Sequence, residues 1–309
     1  MPVEKGSTAM IQQPKKLASF LKKVGNEIAR QFEDNHVSTI LHGGIVLKEF
    51  SLPYSDIDLV VVMHQLTHRD LQDLSNLWNG LAQKHPFGEK LWINVFERDL
   101  LQTGHGTSWT ISKKGIRPSQ GMPIDGMELH TLLNHGKTLK GENIIPLFPQ
   151  LAKDYQIREL GTFLRVLETY STTSPLQPQF HQSSPIDDEI SIILSFPRYL
   201  YNLQTDMILT KSRAAKWYAQ KYTPFRADFL SLARYRIDPQ SMSPKKVFAI
   251  YEKAPKMVSY FWKEYFKHLG VNHVVPDPPI FPHHVQYDET FREIRVGLHQ
   301  LLSKSADLF

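Results

Sequence analysis

The sequence predicts a mixed α/β part followed by an all-α part: a mixed-sheet domain over residues 1–150, then a helical bundle over 151–309, with the boundary near 145–155. Two observations carry this. Up to Phe96, short runs rich in Val and Leu alternate with segments whose apolar residues recur at helical spacing. After Pro149, four or five long periodic segments follow with no convincing strand among them. A chain of 309 residues, 41% of them hydrophobic, is long enough to bury two modest cores.

In chain order, Lys16 to Asp34 carries Leu17, Phe20, Leu21, Val24, Ile28 and Phe32 along one stripe of a helix. Val37 to Leu41 reads as a buried strand broken by Gly43-Gly44, and Ile57 to Met63 as a second strand. Leu71, Leu74, Leu77, Trp78 and Leu81 mark another helix, and Lys90 to Phe96 a third strand. Ser108 to Pro123 turns to Gly, Ser, Pro and Lys, the composition of a loop or lid. In the second part, helical segments lie around Leu160 to Leu167, Ile190 to Leu203, Ser212 to Tyr222, Arg226 to Tyr235, Lys246 to His268 and Phe291 to Leu302. Ser171 to Ser184 and Val271 to Tyr287, rich in Pro or Ser, read as connections.

With no cysteine, a disulfide framework, a thiolate nucleophile, a Cys-based zinc site and an iron–sulfur cluster are all excluded, so any chemistry uses oxygen and nitrogen groups. A net charge of +5 permits a phosphate-bearing partner but is too small to imply a nucleic-acid groove. Met1 to Met10 lacks the apolar core of a signal peptide, and the apolar run Leu59 to Met63 is far too short to span a bilayer. The expectation is a cytoplasmic protein with no membrane partner.

The most informative segment is Leu41-His42-Gly43-Gly44, followed after eleven residues by Asp56-Ile57-Asp58 at the start of an apolar strand. Residues two apart on a strand share a face, so Asp56 and Asp58 present paired carboxylates. Such a pair repels itself unless a cation sits between them, and Mg²⁺ held by one or two carboxylates plus nucleotide phosphates is suited to the task. Gly43 and Gly44 have no Cβ to obstruct a phosphate, and a helix beginning near Ile45 would aim its free N–H groups at the same place. The fragment alone is equally compatible with a tight Gly-Gly turn beside two surface aspartates.

Leu41 to Met63, LHGGIVLKEFSLPYSDIDLVVVM, resembles the signature of the DNA polymerase beta-like nucleotidyltransferases, a Gly-Ser or Gly-Gly turn followed by Asp-x-Asp on a strand. The later order is similar to the streptomycin/spectinomycin (3'')(9) adenylyltransferases. Glu128 to Pro149 looks like that family's helix, HG turn and exit from the first domain. Asp187 to Trp217 looks like the start of its helical domain, with Arg198 and Trp217 at matching positions. The resemblance covers roughly residues 17 to 235. It implies an N-terminal nucleotidyltransferase domain that uses ATP as co-substrate and Mg²⁺ held by Asp56 and Asp58. It further implies phosphates at Gly43 and Gly44, a phosphate contact from Lys211, and a small cationic acceptor such as an aminoglycoside facing Asp187 and Asp188.

Two departures stand out. Aligned without a gap, KLWINVFERDLL puts Trp92 where the family has its third carboxylate, a general base and metal ligand. Asn94 shares that face and takes no proton at neutral pH. Glu97 is the candidate replacement, with Glu89 the other, and a bulge or shifted register would be needed to bring either in. In the turn, either one residue is inserted relative to the family or Ile45 occupies the position of a phosphate-holding serine. Two rival readings follow: the same fold acting on tRNA or protein, motivated by a pI near 9.1 and the basic, aromatic segment Lys245 to Lys267, and a degenerate nucleotide-binding protein without turnover.

Overall fold

The computed structural model describes residues 10–11, 13–52, 54–103, 105–122, 124, 126–173, 186–271 and 287–306. It divides into two compact units, Met1–Leu151 and Ala152–Phe309. The first contains β1 (Met10–Ile11), α1 (Pro14–Phe32), β2 (His36–Leu41), α2 (Gly43–Val46), β3 (Glu49–Phe50), β4 (Ile57–Met63), α3 (His68–Lys84), β5 (Leu91–Glu97), α4 (Arg98–Thr103), β6 (Thr107–Ser112), β7 (Gly115–Gln120), α5 (Gly126–His135) and β8 (Lys137–Gly141).

Six strands form a mixed sheet in the order β7-β6-β5-β4-β2-β8, and β1 pairs with β3 in a separate two-stranded ribbon. Only β4 and β5 are parallel within the six, from Ile57 opposite Leu91 to Met63 opposite Glu97 without a register shift. A parallel neighbour needs a crossover, and α3 supplies it. That helix starts in a reciprocal cap: Thr67 Oγ1 accepts from the Asp70 N–H at 3.1 Å while Asp70 Oδ2 accepts from the Thr67 N–H at 2.8 Å. Trp78 then ties it to the sheet, its Nε1 donating to the Leu91 carbonyl at 3.0 Å.

Alternation along β4 and β5 sorts two cores. Ile57, Leu59, Val61, Met63, Leu91, Ile93 and Val95 meet Leu17, Val24 and Ile28 of α1 and Leu71, Leu74 and Trp78 of α3. Val60, Val62 and Phe96 meet Leu100 of α4 and Leu129 and Leu132 of α5 on the opposite face. Both faces being covered is why these strands read as near-continuous apolar runs.

The second unit contains α6 (Tyr155–Thr173), α7 (Ile186–Ile193), α8 (Ser195–Thr205), α9 (Lys211–Lys221), α10 (Arg226–Ile237), α11 (Pro244–Tyr251), α12 (Ala254–His268) and α13 (Tyr287–Ala306). Its core is aromatic: Phe261 stacks on Phe196 with centroids 5.2 Å apart and meets Phe229 edge-on at 5.5 Å, and Phe163 stacks on Tyr199 at 4.5 Å. The Tyr265 hydroxyl donates to the Phe196 carbonyl at 2.8 Å, satisfying its one polar atom in a fully buried position.

Several expectations are corrected. Ser108 to Pro123 is no lid over its length: β6 and β7 form an antiparallel hairpin on the edge of the sheet, from Thr107 opposite Gln120 to Ser112 opposite Gly115. Ile190 to Leu203 breaks at Leu194, and Lys246 to His268 breaks at Glu252 and Lys253, where Pro255 in the first turn of α12 favours a new helix start. The connections read at Ser171 to Ser184 and Val271 to Tyr287 lie largely outside the described residues.

Candidate active site

The site is built where β2 ends and β4 begins. The His42 N–H donates to the Asp58 carbonyl at 3.0 Å, which locks the turn after β2 to the first residues of β4. Gly43 has φ +71°, and a Cβ added there would collide with the carboxylate of Asp58. Glycine is therefore required twice over, for its left-handed backbone and for the space the carboxylate fills. The helix expected from about Ile45 begins instead at Gly43 and lasts only to Val46, a single turn.

Asp58 is half-buried, whereas Asp56, one residue ahead of β4, is exposed. The chain reaches Asp56 through a closed turn in which the Ser51 carbonyl accepts from the N–H groups of Tyr54 at 3.0 Å and Ser55 at 2.8 Å, and the Ser55 hydroxyl accepts from the Ser51 N–H at 3.0 Å. The two carboxylates thus leave a rigid corner at one end of the sheet.

His42 is almost fully buried, and neither ring nitrogen has a hydrogen-bond partner among the described residues. Burial pushes its pKa down to about 4, so the ring is neutral at physiological pH. It is a buried member of the turn rather than an exposed proton acceptor.

Cross-strand register decides the question of the third carboxylate. Trp92 lies opposite Asp58 and Asn94 opposite Val60, so both share the Asp58 face. Asn94 is buried, and its Oδ1 accepts from the Thr110 hydroxyl at 2.9 Å. Glu97 is opposite Met63, five residues beyond Asp58, which is about 16 Å along the strand. Its carboxylate accepts from the Leu66 N–H at 2.8 Å and holds the turn into α3. No bulge interrupts the β4–β5 ladder. The structure brings Gly43 against Asp58, with Gly44 next in the turn and Asp56 exposed two residues ahead of Asp58, and leaves Glu97 at the far end, with Glu89 exposed in the turn before β5.

Among the described residues no cluster of three or more His, Asp or Glu side chains is placed to hold a metal ion. The donor set fits Mg²⁺ in one mode only, with two carboxylates from the protein and the remaining oxygens from phosphate and water.

In the second unit, Lys211 is the first residue of α9, after Thr210. The turn ahead of it is pinned: Arg198 Nε donates to the Leu209 carbonyl at 3.0 Å, and the Tyr155 hydroxyl donates to Asp206 Oδ1 at 2.6 Å while accepting from Asn202 Nδ2 at 2.9 Å. Trp217 is half-buried, edge-on to Tyr201 at 5.1 Å, with the Lys221 ammonium 5.1 Å from its ring centre. Asp187 and Asp188 belong to α7 by backbone, but their side chains lie outside the described residues. Phe261, Trp262, Tyr265 and Phe266, which motivated a macromolecular acceptor, are buried in the core. Among the described residues no helix is long and apolar enough to cross a membrane.

No protein-family model and no characterised protein sequence matches the chain. Among solved structures it is similar to the crystal structure of spectinomycin adenyltransferase AAD(9) from Enterococcus faecialis with ATP and spectinomycin, at 15% identity and a TM-score of 0.54, over 76% of this chain and 98% of that one. At that identity the similarity shows a shared fold and nothing finer, with a mixed six-stranded sheet in this chain.

Proposed function

We propose that this chain is a Mg²⁺-dependent nucleotidyltransferase that moves AMP from ATP to the hydroxyl of a small cationic acceptor such as an aminoglycoside. The observation that carries the reading is the Asp58 carboxylate seated against the bare Cα of Gly43, one residue pair from Asp56. The shared fold with a structure containing ATP supports it.

Asp56 and Asp58 are assigned to the metal, and Gly43 and Gly44 to the phosphates, through the backbone of their turn. Bound there, Mg²⁺ would neutralise phosphate oxygens and raise the electrophilicity of the α-phosphorus. Lys211 is assigned to the triphosphate, where a compact ammonium suits a phosphate oxygen. Asp187 and Asp188 are assigned to the cationic acceptor. In the reaction the acceptor oxygen bonds to the α-phosphorus, the bond to the bridging oxygen of pyrophosphate breaks, and the hydroxyl proton is lost to solvent. Neither Trp92 nor Asn94 accepts that proton, so positioning and charge neutralisation carry the rate.

The test is ATP-dependent labelling of aminoglycosides by the purified chain. Asp56→Asn and Asp58→Asn should each lower transfer by about 10²-fold or more while the melting temperature holds; full retention of activity would remove the assignment. A second reading, nucleotide binding without turnover, has one observation in its favour, the indole of Trp92 opposite Asp58. Calorimetric binding of Mg²⁺-ATP without pyrophosphate release from any acceptor would select it.

A further inference from the structure

The sheet end that carries Asp56 and Asp58 is flanked by cations. In strand order, β8 starts there with Lys137, opposite Leu41 of β2, and the β6–β7 turn Lys113-Lys114 closes there, since Ile93 of β5 lies opposite Ile111 and Ser112 opposite Gly115. Both lie two strands from β4, on opposite sides. The hairpin from Thr107 to Gln120 has three cations, Lys113, Lys114 and Arg117, and no acidic residue. All three are exposed, and none forms an ion pair among the described residues. One face of the hairpin packs with Ile111 in the core and Trp109 and Ile116 against it, and on the other Ser108 and Ser112 are buried. Thr110 lies opposite both Asn94 and Arg117, so Val60, Asn94, Thr110 and Arg117 make one row across the face that also holds Asp58. Val60, Asn94, Ser108 and Ser112 on that face are buried, so the exposed cations gather at the hairpin's tip, Lys113 and Lys114, and at Arg117 on the outer strand, at the sheet end that holds the carboxylate pair. A cationic tip beside two carboxylates suits an anion longer than one phosphate.

We propose that Lys113, Lys114 and Arg117 of the β6–β7 hairpin form a polyphosphate anchor that holds the β- and γ-phosphates of the nucleotide, and the pyrophosphate it releases, beside Asp56 and Asp58. This rests on the nucleotidyltransferase reading. Two strand spacings separate β6 from β4 by about 10 Å, a gap that a phosphate chain and an extended lysine side chain span together. Two carboxylates and a triphosphate outweigh the metal charge, so cations at this distance stabilise the bound tail, and screening by salt weakens them because they are exposed. Gly115, at φ +86°, closes the turn and sets the paired lysines at its tip.

Calorimetry on the full chain tests the anchor with three probes, Mg²⁺-ATP, AMP and inorganic pyrophosphate, at low and high salt. The paired substitution Lys113→Ser with Lys114→Ser should weaken ATP and pyrophosphate about tenfold at low salt and leave AMP unchanged. The loss should shrink toward nothing near 1 M salt. Arg117→Ser should act in the same direction, and Lys113→Arg with Lys114→Arg should restore binding, separating charge from folding. Unchanged ATP and pyrophosphate affinity in the paired variant, with wild-type chain binding both, overturns the anchor alone. An equal loss for AMP and ATP, or a raised KM for the acceptor with unchanged ATP affinity, also overturns it. If wild-type chain binds no nucleotide, the anchor and the nucleotidyltransferase reading fall together.

Discussion

Asp58 and Trp92 lie opposite each other across the parallel pair β4–β5, in the row where the sequence resemblance predicts a second acid. An indole opposite a carboxylate removes a charge, a proton acceptor and a metal-ligating oxygen at once. The buried Asn94, two residues on, is satisfied separately: its carboxamide oxygen accepts from the Thr110 hydroxyl of β6.

The substitution Trp92→Glu should therefore behave as a gain of function. A general base contributes about 10²–10⁴-fold, and the register places the new carboxylate on the Asp58 face without any backbone change. Like charges directly opposite in a sheet cost up to about 1 kcal/mol, so the variant should melt lower than wild type in chelator and recover when Mg²⁺ is added. Steady-state pyrophosphate release and a melting curve with and without Mg²⁺ check both halves. A variant insensitive to the ion would place the metal elsewhere.

Gly43→Ala should harm the site and the fold together. The backbone at φ +71° and the Asp58 carboxylate both exclude a Cβ, so either the turn shifts or the carboxylate rotates away. The expected cost is about 1–3 kcal/mol, read as a lower urea midpoint, with Mg²⁺-ATP affinity reduced. Gly80→Ala is the control, because a Cβ there meets nothing within 4 Å and its helix should gain slightly.

The parts of the molecule that could be read in the sequence are those whose pattern has a single physical cause. Ile57 to Met63 is a strand from end to end as read, since seven apolar-dominated residues bounded by turn residues leave few alternatives. The Gly-Gly and Asp-x-Asp fragment marks the corner in the sequence, but as room for a phosphate; that the Asp58 carboxylate itself fills the space at Gly43 is visible only in the structure. The β6–β7 hairpin was hidden because one of its faces is built from Ser and Thr, buried at Ser108 and Ser112, and with the Lys and Gly of its turn this resembles a loop. Trp109, Ile111 and Ile116 were the available signal, an alternation too short to outweigh that composition. The short edge strand β8 is Lys-rich, as unprotected edges often are, and has no buried residue to reveal it. On a regular strand Glu97 falls on the face opposite Trp92, and what the sequence leaves open is only a bulge or shifted register, which the unbroken β4–β5 ladder removes.

In the second unit, Tyr155→Phe should destabilise by about 1–3 kcal/mol. The hydroxyl donates to Asp206 and accepts from Asn202, so its removal strips a partner from each. Burial and the neighbouring Asp206 hydrogen bond raise its pKa to about 12, so the phenol stays protonated and keeps donating across the working pH range. Because the turn it holds leads to Lys211, the variant should also raise the KM for ATP more than it lowers kcat. An unchanged urea midpoint would show that the network contributes nothing.

His42 gives the chain a specific acid sensitivity. Its folded pKa is about 4, against 6.5 for an ordinary histidine, and the cause is burial. Between those values the unfolded chain binds a proton that the folded chain refuses, so stability rises with pH across this window and is lost as pH falls from 6.5 toward 4. Integrated over the gap, the loss is about 3 kcal/mol. His42→Leu removes the titrating ring while keeping an apolar side chain of similar size. Urea denaturation at pH 7 and pH 4.5 should therefore show a smaller acid-induced loss in the variant than in wild type. Parallel pH profiles for the two proteins would mean that the ring is solvated or paired in solution.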